Sequence, residues 1–269
     1  MSRKIVAATA AIVTAAATLL AAPAADAAGR GITHVKVSKK HTVTVSATLR
    51  PGLVHLRNDG SRPFALFRKK SEGSDRLVTY MNAEKESVAR RAFSRFGFVQ
   101  LAFGKADSYV KITRGTYYFV DVSGEKIRSK GVRTVTVRGK GSNVRRPAYR
   151  SLRVLANGTF DGATSGGVKP YLRIHNYSKQ ARFVSTLTVR ADVTDAQLQA
   201  ALADRSGEKL VDVLDLDHAP GLTGYVGAGQ DITLRTTLGR GRYLLTNFAV
   251  LGTTSGAFGS NRPRVFTVR

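Results

Sequence analysis

The sequence predicts an all-β protein built from two tandem Greek-key β-sandwich domains, each with a short helical insertion. Stretches such as "HTVTVSATL" and "TYYFVDV" alternate apolar and polar residues with a period of two and are bounded by Gly or Pro turns. This pattern is typical of half-buried β-strands. In addition, three pairs of similar segments occur in the same order along the chain, which indicates an internal duplication.

The repeated segments give the order of the predicted elements. "LVHLRNDGSRPFALF" at 53–67 is echoed by "YLRIHNYSKQARFVS" at 171–185, and each joins two apolar strands through an asparagine-containing turn. "FGKADSYVKITRGTYYF" is echoed by "GAGQDITLRTTLGRGRYLL", and "RTVTVRG" by "PRVFTVR". Strands spaced in this way predict antiparallel pairing in two layers. The glycine- and proline-containing segment 139–150 suits a linker, so we predict one domain at residues 28–147 and a second at 148–269.

Each half also contains a pattern that favours a helix. The second pattern, "VTDAQLQAALADRSG", supplies the usual signals of a capped helix: an N-cap at Thr194, a capping-box partner at Gln197, a hydrophobic staple between Val193 and Leu198, and Gly207 beyond the end. The first, "NAEKESVARRAFSRF", places Val88, Ala92 and Phe96 on one face. We expect each helix to cover one end of its sandwich.

The N-terminus has the layout of a secretory signal peptide. A short basic start with Arg3 and Lys4 precedes an alanine-rich apolar run that ends in small residues, which predicts cleavage after Ala27. The alternative is an uncleaved membrane anchor. The chain has no cysteine, so it can form neither a disulfide nor a lipid-modified cysteine. We therefore expect residues 1–27 to be removed and the protein to be secreted, extracellular or associated with the periplasm or cell wall, with no transmembrane segment after cleavage.

The order of strand, asparagine turn, insertion, "G-x-Y" strand and final strand resembles the cupredoxin-like fold of plastocyanin and azurin, in both halves. Copper-binding members place a histidine after the asparagine turn, a cysteine at the end of the "G-x-Y" strand, and a histidine and usually a methionine in the next loop. Here the first histidine position falls near Pro63 and Phe64, and near Arg182 in the second half. The cysteine position falls on Asp121 and on Asn247. The resemblance thus implies the fold without its copper ligands, and we expect no cofactor.

The five histidines give little support for a metal site. We predict His34 and His41 to be surface residues, because Lys36, Lys39 and Lys40 lie close to them in the sequence and oppose cation binding. His55 and His175 fall inside strands and are predicted to be hydrogen-bonded sheet residues.

His218 is the remaining candidate metal ligand. It ends "DVLDLDH", which also contains Asp212, Asp215 and Asp217. Such donors could hold a divalent cation, but the glycine and glutamate of a calcium loop are missing. We interpret the segment as a solvated acidic loop and assign no metal ligand.

The evidence for an enzyme is also slight. "GATSGG" at 162–167 is weakly similar to the serine region of trypsin-like proteases, and His55, Asp107 and Ser165 follow the chain order of such a triad. The three would be divided between two domains, however, and a glycine-rich hairpin turn explains the stretch. We therefore predict a non-enzymatic protein with no catalytic residues. The alternative is a metal-dependent or hydrolytic secreted enzyme that uses the acidic cluster at 212–218.

Charge carries the main functional signal. The formal net charge is +25, and residues 28–147 hold 26 Lys and Arg against 8 Asp and Glu, whereas residues 148–269 hold 15 against 9. Such a field attracts polyanions with a strong dependence on salt. The candidate binding residues are the clustered cations of the first domain: Arg68, Lys69, Lys70, Arg90, Arg91, Lys126, Arg128, Lys130, Arg133, Arg138, Lys140, Arg145 and Arg146.

The predicted partner is an anionic cell-envelope polymer or another polyanion. Specific nucleic-acid recognition is not expected, because tryptophan is absent and the other aromatic residues fall at core-like strand positions. Two alternatives remain open. The charge could serve solubility alone, or the acidic stretch between Asp192 and Asp217 could dock the basic half of a neighbouring molecule.

Overall fold

β-Strands make up most of the regular structure, as the sequence predicts. The computed structural model describes residues 31–46, 49–142, 144–162, 165–204, 208–217, 222–236, 238–249 and 263–269. The predicted signal peptide, residues 1–27, lies outside the described residues. Within the described ranges, no helix is both long enough and apolar enough to cross a bilayer.

The chain divides into two units, Met1–Arg146 and Pro147–Arg269. The elements of the first unit are β1 (Ile32–Val37), β2 (Val43–Val45), β3 (Gly52–Asn58), β4 (Phe64–Arg68), α1 (Ser74–Met81), α2 (Glu86–Arg95), β5 (Gly97–Ala102), β6 (Asp107–Ile112), β7 (Gly115–Asp121) and β8 (Val132–Val137). Those of the second are β9 (Arg150–Val154), β10 (Phe160–Gly162), β11 (Ser165–Gly166), β12 (Tyr171–Asn176), β13 (Arg182–Val189), α3 (Asp195–Ala203), α4 (Glu208–Val213), β14 (Leu214–Asp215), β15 (Leu222–Val226), β16 (Asp231–Arg235), β17 (Gly241–Ala249) and β18 (Arg264–Val268).

The same pair of sheets occurs in both units. In the first, one layer has the order β2-β1-β3-β6 and the other β5-β4-β7-β8. In the second, the corresponding orders are β10-β9-β12-β16 and β15-β13-β17-β18, with β11 beyond β18 and β14 paired with β13. The prediction of two tandem cupredoxin-like sandwiches is thus confirmed by strand order.

The predicted antiparallel pairing holds for most strand pairs but not for all of them. Most pairs are antiparallel, but β1 runs parallel to β3, β9 to β12, and β11 to β18. In the first unit, β1 and β2 form an antiparallel pair. The chain then reverses a second time before β3. The strand β3 therefore pairs with the other edge of β1 and runs parallel to it.

The repeated "G-x-Y" motif forms the same corner in each unit. Gly115 and Gly241 have φ of +142° and +148°, conformations that glycine adopts without steric cost. Two residues later, the hydroxyl of Tyr117 donates to the carbonyl of Thr113 at 3.2 Å, and that of Tyr243 to the carbonyl of Gly239 at 3.1 Å. A buried tyrosine thus ties each strand to the turn before it, as in the tyrosine corners of other β-sandwiches.

We expect Tyr117→Phe to lower the free energy of unfolding by about 1–2 kcal/mol and Tyr243→Phe by about 1 kcal/mol, the usual range for a lost hydrogen bond. Tyr117→Phe should have the larger effect, because the oxygen of Tyr117 also accepts from the backbone N–H of Thr113 at 3.0 Å. Urea unfolding of the full chain measures both effects. Tyr177→Phe, at a side chain that is 51% exposed, should change nothing, and equal stability of all three variants would contradict the role of the corner.

The first helical insertion differs from the prediction in number and place. The described residues form two short helices there, and α1 was not predicted. Ala92 and Phe96 are fully buried as expected, whereas Val88 is half-buried. Phe96 lies 6.1 Å from the ring of Tyr118, and Tyr118 is the register partner of Phe67. The insertion therefore packs against a face of the β4–β7 pair.

The second insertion has the predicted cap. Thr194 Oγ1 accepts from the N–H of Gln197 at 3.2 Å, and Gln197 Oε1 accepts from the N–H of Thr194 at 2.8 Å. Val193 and Leu198 are buried in one cluster with Leu210 of α4. Here too the described residues form two helices where one was predicted, and Gly207 lies outside the described residues.

Candidate functional site

In the first unit, Asp121 occupies the position expected for the cysteine ligand. Its carboxylate is 4% exposed and accepts from the backbone N–H and hydroxyl of Ser123 at 2.9 and 2.6 Å. Oδ2 lies 2.7 Å from Nδ1 of His41. The guanidinium of Arg62 lies 3.2 Å from the same ring nitrogen and donates to the hydroxyl of Ser123 at 3.0 Å. We call these four residues the Asp121 cluster.

His41, predicted as a surface residue, is only partly exposed. Its side chain is 30% exposed and pairs with Asp121, 80 residues away along the chain. The loop after β7 closes around it, because a Cβ added at Gly131 would lie 3.3 Å from the carbonyl of His41 and 3.4 Å from the Cβ of Asp121. The lysines close to His41 in the sequence therefore did not indicate that its side chain pairs with Asp121.

Arg62 is a residue that the sequence reasoning missed. The register pairs Phe64 with Asp121 in the first unit, and Val184 with Asn247 in the second. Arg62 lies two positions before Phe64, and Arg182 lies two positions before Val184. Both units therefore place an arginine near the position expected for the first histidine ligand. The repeated arginine is the sequence signal that could have identified it.

The equivalent region of the second unit is also occupied by hydrogen-bonded polar groups. The amide of Asn247 is 1% exposed and donates to the carbonyl of Gly158 at 2.8 Å. Arg182 is 7% exposed, and its Nε donates to the hydroxyl of Ser178 at 3.3 Å. Burial lowers the pKa of Arg182 from its ordinary value.

These residues do not fit a blue-copper ion. Such a site requires a thiolate and two imidazoles around the metal, whereas one unit offers a hydrogen-bonded carboxylate and the other an amide. In the first unit the guanidinium of Arg62 also lies against the single imidazole, where it would repel a cation. Among the described residues, no group of three or more His, Cys, Asp or Glu side chains is placed to hold a metal.

A buried asparagine fixes the turn that leads into β4 and the turn that leads into β13. The amide of Asn58 donates to the carbonyls of Arg62 and Phe103 at 2.9 and 3.0 Å. That of Asn176 donates to the carbonyls of Gln180 and Val226 at 2.8 and 3.1 Å. Both asparagines are buried, so the repeated residue holds the turn in place and is not available to a ligand.

The acidic segment 212–218 lies only partly within the described residues, because His218 falls outside them. Arg190 donates to the carbonyl of Asp212 at 3.2 Å. The pKa of Arg190 is raised, mainly by its hydrogen bond to Asp192 and further by the charges of Asp212 and Asp215. The guanidinium of Arg190 thus lies close to the carboxylates of Asp212 and Asp215.

Two members of the protease-like triad do meet. Nε2 of His55 lies 2.8 Å from Oδ1 of Asp107, and the two side chains are only 5% and 7% exposed. The imidazole also stacks on Tyr109, with ring centroids 4.2 Å apart. Ser165 is an exposed residue of the other unit. The pair is therefore a buried sheet contact without access for a substrate.

The predicted polyanion-binding residues lie in separate places. Lys126, Arg128, Lys130 and Arg133 are exposed on β8 and the segment before it. Four further predicted residues lie on α2 or in the segment that follows β8: Arg90, Arg91, Arg145 and Arg146. Of these four, Arg90 and Arg146 are half-buried.

The other five predicted residues converge at one end of the first unit. Arg68 Nη2 donates to the carbonyl of Arg114, and Arg114 Nη2 to the carbonyl of Gly139, both at 3.3 Å. The N–H of Ser142 donates to the carbonyl of Pro51 at 2.7 Å. These contacts join the end of β4, the β6–β7 turn, the segment after β8 and the segment before β3.

We call this surface the basic end. It consists of eight exposed cations: Arg50, Arg68, Lys69, Lys70, Lys111, Arg114, Arg138 and Lys140. The four segments that carry them, 49–53, 66–71, 110–117 and 135–142, contain no Asp or Glu. Across the described chain none of the eight forms an ion pair, and Arg68, Lys70 and Arg114 instead donate to backbone carbonyls. Their positive charge is therefore not neutralised by a neighbouring carboxylate.

Sequence reasoning missed Arg50, Lys111 and Arg114 as members of this surface. They stand alone in the sequence, whereas the predicted residues were selected because they cluster along it. Arg50 precedes the turn into β3, and Arg114 lies in the turn before the "G-x-Y" corner. The repeated turn motif could have indicated that these residues share one end of the sandwich.

Comparison with solved structures found proteins of low similarity. Auracyanin B is 17% identical, with 47% of this chain and 92% of that chain covered and a TM-score of 0.26. Lac15 from a marine microbial metagenome is 13% identical, with 88% and 65% covered and a TM-score of 0.24. Copper nitrite reductase from Nitrosomonas europaea is 11% identical, with 88% and 93% covered and a TM-score of 0.24. No protein-family model and no curated protein matches the chain, so the fold assignment rests on the strand order of each unit.

Proposed function

We propose that this protein is a secreted, non-enzymatic binding protein that attaches to an anionic polymer of the cell envelope, or to another polyanion, through the basic end. The observation that supports this proposal is the convergence of eight exposed cations, without a carboxylate, on four segments of one unit. Polyanions bind to such surfaces because the contacts release counterions from the polymer.

The arginines of the basic end are suited to phosphate or sulfate groups. A guanidinium presents a planar fork of donors that matches two oxygens of one anionic group. The hydrogen bonds of Arg68 and Arg114 to backbone carbonyls restrain the orientation of each guanidinium. The surface therefore combines a concentrated charge with partly ordered donors.

Heparin binding by the full chain tests the proposal. Replacing Arg68, Arg114, Arg138 and Lys140 by glutamine should weaken binding by about a hundredfold or more, because each cation near an anionic surface contributes about 1 kcal/mol. The control removes four exposed cations of the second unit: Lys169, Lys179, Lys209 and Arg240. Both variants have the same net charge, so an effect of overall charge alone would weaken both equally.

A large loss in the first variant with little change in the control supports the basic end. Equal losses would leave the charge as a solubility feature. A third variant, with glutamine at Lys126, Arg128, Lys130 and Arg133, shows whether the predicted residues next to β8 belong to the same binding surface.

A further inference from the structure

The outer face of β12 in the second unit carries a row of planar side chains. Along this strand half-buried residues alternate with buried ones. Tyr171, Arg173 and His175 therefore lie on one face, while Leu172 and Ile174 lie on the core side.

Two tyrosines from outside β12 extend the row. Tyr149 accepts a hydrogen bond from Nη1 of Arg173 at 3.1 Å, and the guanidinium lies 5.5 Å from the centre of its ring. The ring of Tyr177 stacks on His175, with centroids 3.9 Å apart and planes at 14°. Tyr149 is 36% exposed and Tyr177 51% exposed. We call Tyr149, Tyr171, Arg173, His175 and Tyr177 the tyrosine strip.

Two cations close to the strip are paired with carboxylates, unlike the cations of the basic end. Arg173 donates to both carboxylate oxygens of Asp231, at 2.9 and 2.5 Å. On the adjacent strand, Arg153 lies 2.8 Å from Asp161. These pairs neutralise Arg173 and Arg153, and the strip combines aromatic rings with hydrogen-bonding groups.

We propose that the tyrosine strip binds a neutral, extended, β-linked glycan. The C–H face of a pyranose ring packs on an aromatic ring, and its hydroxyls bond to side groups such as those of Arg173 and Asp231. From Tyr171 to His175 the strand extends roughly 13 Å, which spans two or three sugar rings of an extended chain. A flat strip suits a ribbon-like β-linked chain better than a helical one. Paired cations favour an uncharged ligand over a polyanion, which requires free cations for its phosphates or sulfates.

Isothermal titration of the full chain with cellohexaose and with chitohexaose tests this proposal. The buffer contains about 1 M sodium chloride, which screens charge interactions beyond about 3 Å and so suppresses binding to the basic end. We expect at least one oligosaccharide to bind. Tyr149→Ala combined with Tyr177→Ala should weaken its binding by about tenfold or more, because two stacking contacts are lost.

Two control variants distinguish stacking from other effects. Tyr149→Phe with Tyr177→Phe keeps both rings and should retain binding. Leu216→Ala removes another exposed apolar side chain of this unit, 59% exposed, and should leave binding unchanged. If the double alanine variant does not fold, Tyr177→Ala alone serves in its place, because this side chain is half exposed.

Three results would overturn the proposal. The first is that neither oligosaccharide binds at millimolar concentration. The second is that the alanine variants bind as the unaltered protein does. The third is that a single-stranded DNA oligonucleotide loses affinity in the alanine variants while the sugars do not, which would make the strip a base-stacking surface. None of these results bears on heparin binding at the basic end.

Discussion

Raising the sodium chloride concentration from about 50 mM to about 200 mM should weaken heparin binding by the full chain by about a thousandfold. The expectation follows from the basic end, where eight exposed cations lie without a carboxylate among them. If about six of them each neutralise one anionic group, the logarithm of the affinity falls by roughly five units per tenfold increase in salt. Anisotropy of labelled heparin at four or more salt concentrations gives this slope.

The slope also distinguishes a local site from diffuse attraction. Glutamine at Arg68, Arg114, Arg138 and Lys140 should reduce it by about three to four units, because four ionic contacts are lost. The control variant at Lys169, Lys179, Lys209 and Arg240 should keep the original slope. A slope near zero for the unaltered protein, or the same slope in all three proteins, would contradict a polyanion site at the basic end.

Asp121→Ala should lower the free energy of unfolding of the first unit by about 3 kcal/mol, as expected when a buried acceptor of several hydrogen bonds is removed. The side chain is 4% exposed and lies 2.7 Å from His41. Its loss leaves the N–H and hydroxyl of Ser123 and the imidazole of His41 without this hydrogen-bond partner. Chemical denaturation followed by near-ultraviolet circular dichroism measures the change.

Two further variants test whether the effect arises from the buried cluster. Asp121→Asn retains an oxygen that can accept from Ser123, so it should cost less than alanine. Glu125→Ala removes an exposed carboxylate from the same loop and should change the stability by no more than about 0.5 kcal/mol. If Asp121→Ala and Glu125→Ala have the same small effect, the Asp121 cluster does not stabilise the unit.

Features that depend on neighbouring residues could be predicted from the sequence. The predicted capping box joins Thr194 to Gln197, three residues apart. The period-two strands and their repeated order were sufficient to predict two sandwiches of the cupredoxin-like type. The absence of cysteine was likewise enough to predict that the copper ligands of that fold would be incomplete.

Prediction from local patterns was less successful for helices and for pairing direction. The helix α1 follows Gly73, which provides no side-chain cap, so its start carries no clear signal. The direction of β1 relative to β3 depends on where the chain places β3 after the β1–β2 pair. Alternation of apolar residues is the same in parallel and antiparallel strands when one face is buried, and it could not reveal this direction.

The sequence by itself determined the β class, the duplication, the repeated "G-x-Y" strands and the capped helix, because each follows from residues close together in the chain or from a repeated pattern. Only the tertiary structure decided that Asp121 meets His41 across 80 residues. It also brought Arg50, Lys111 and Arg114 to the basic end, and Tyr149 and Tyr177 to one face of β12. The physical reason is that these groupings depend on which strand ends and faces become neighbours when the sheets form, and spacing along a single strand carries no information about that.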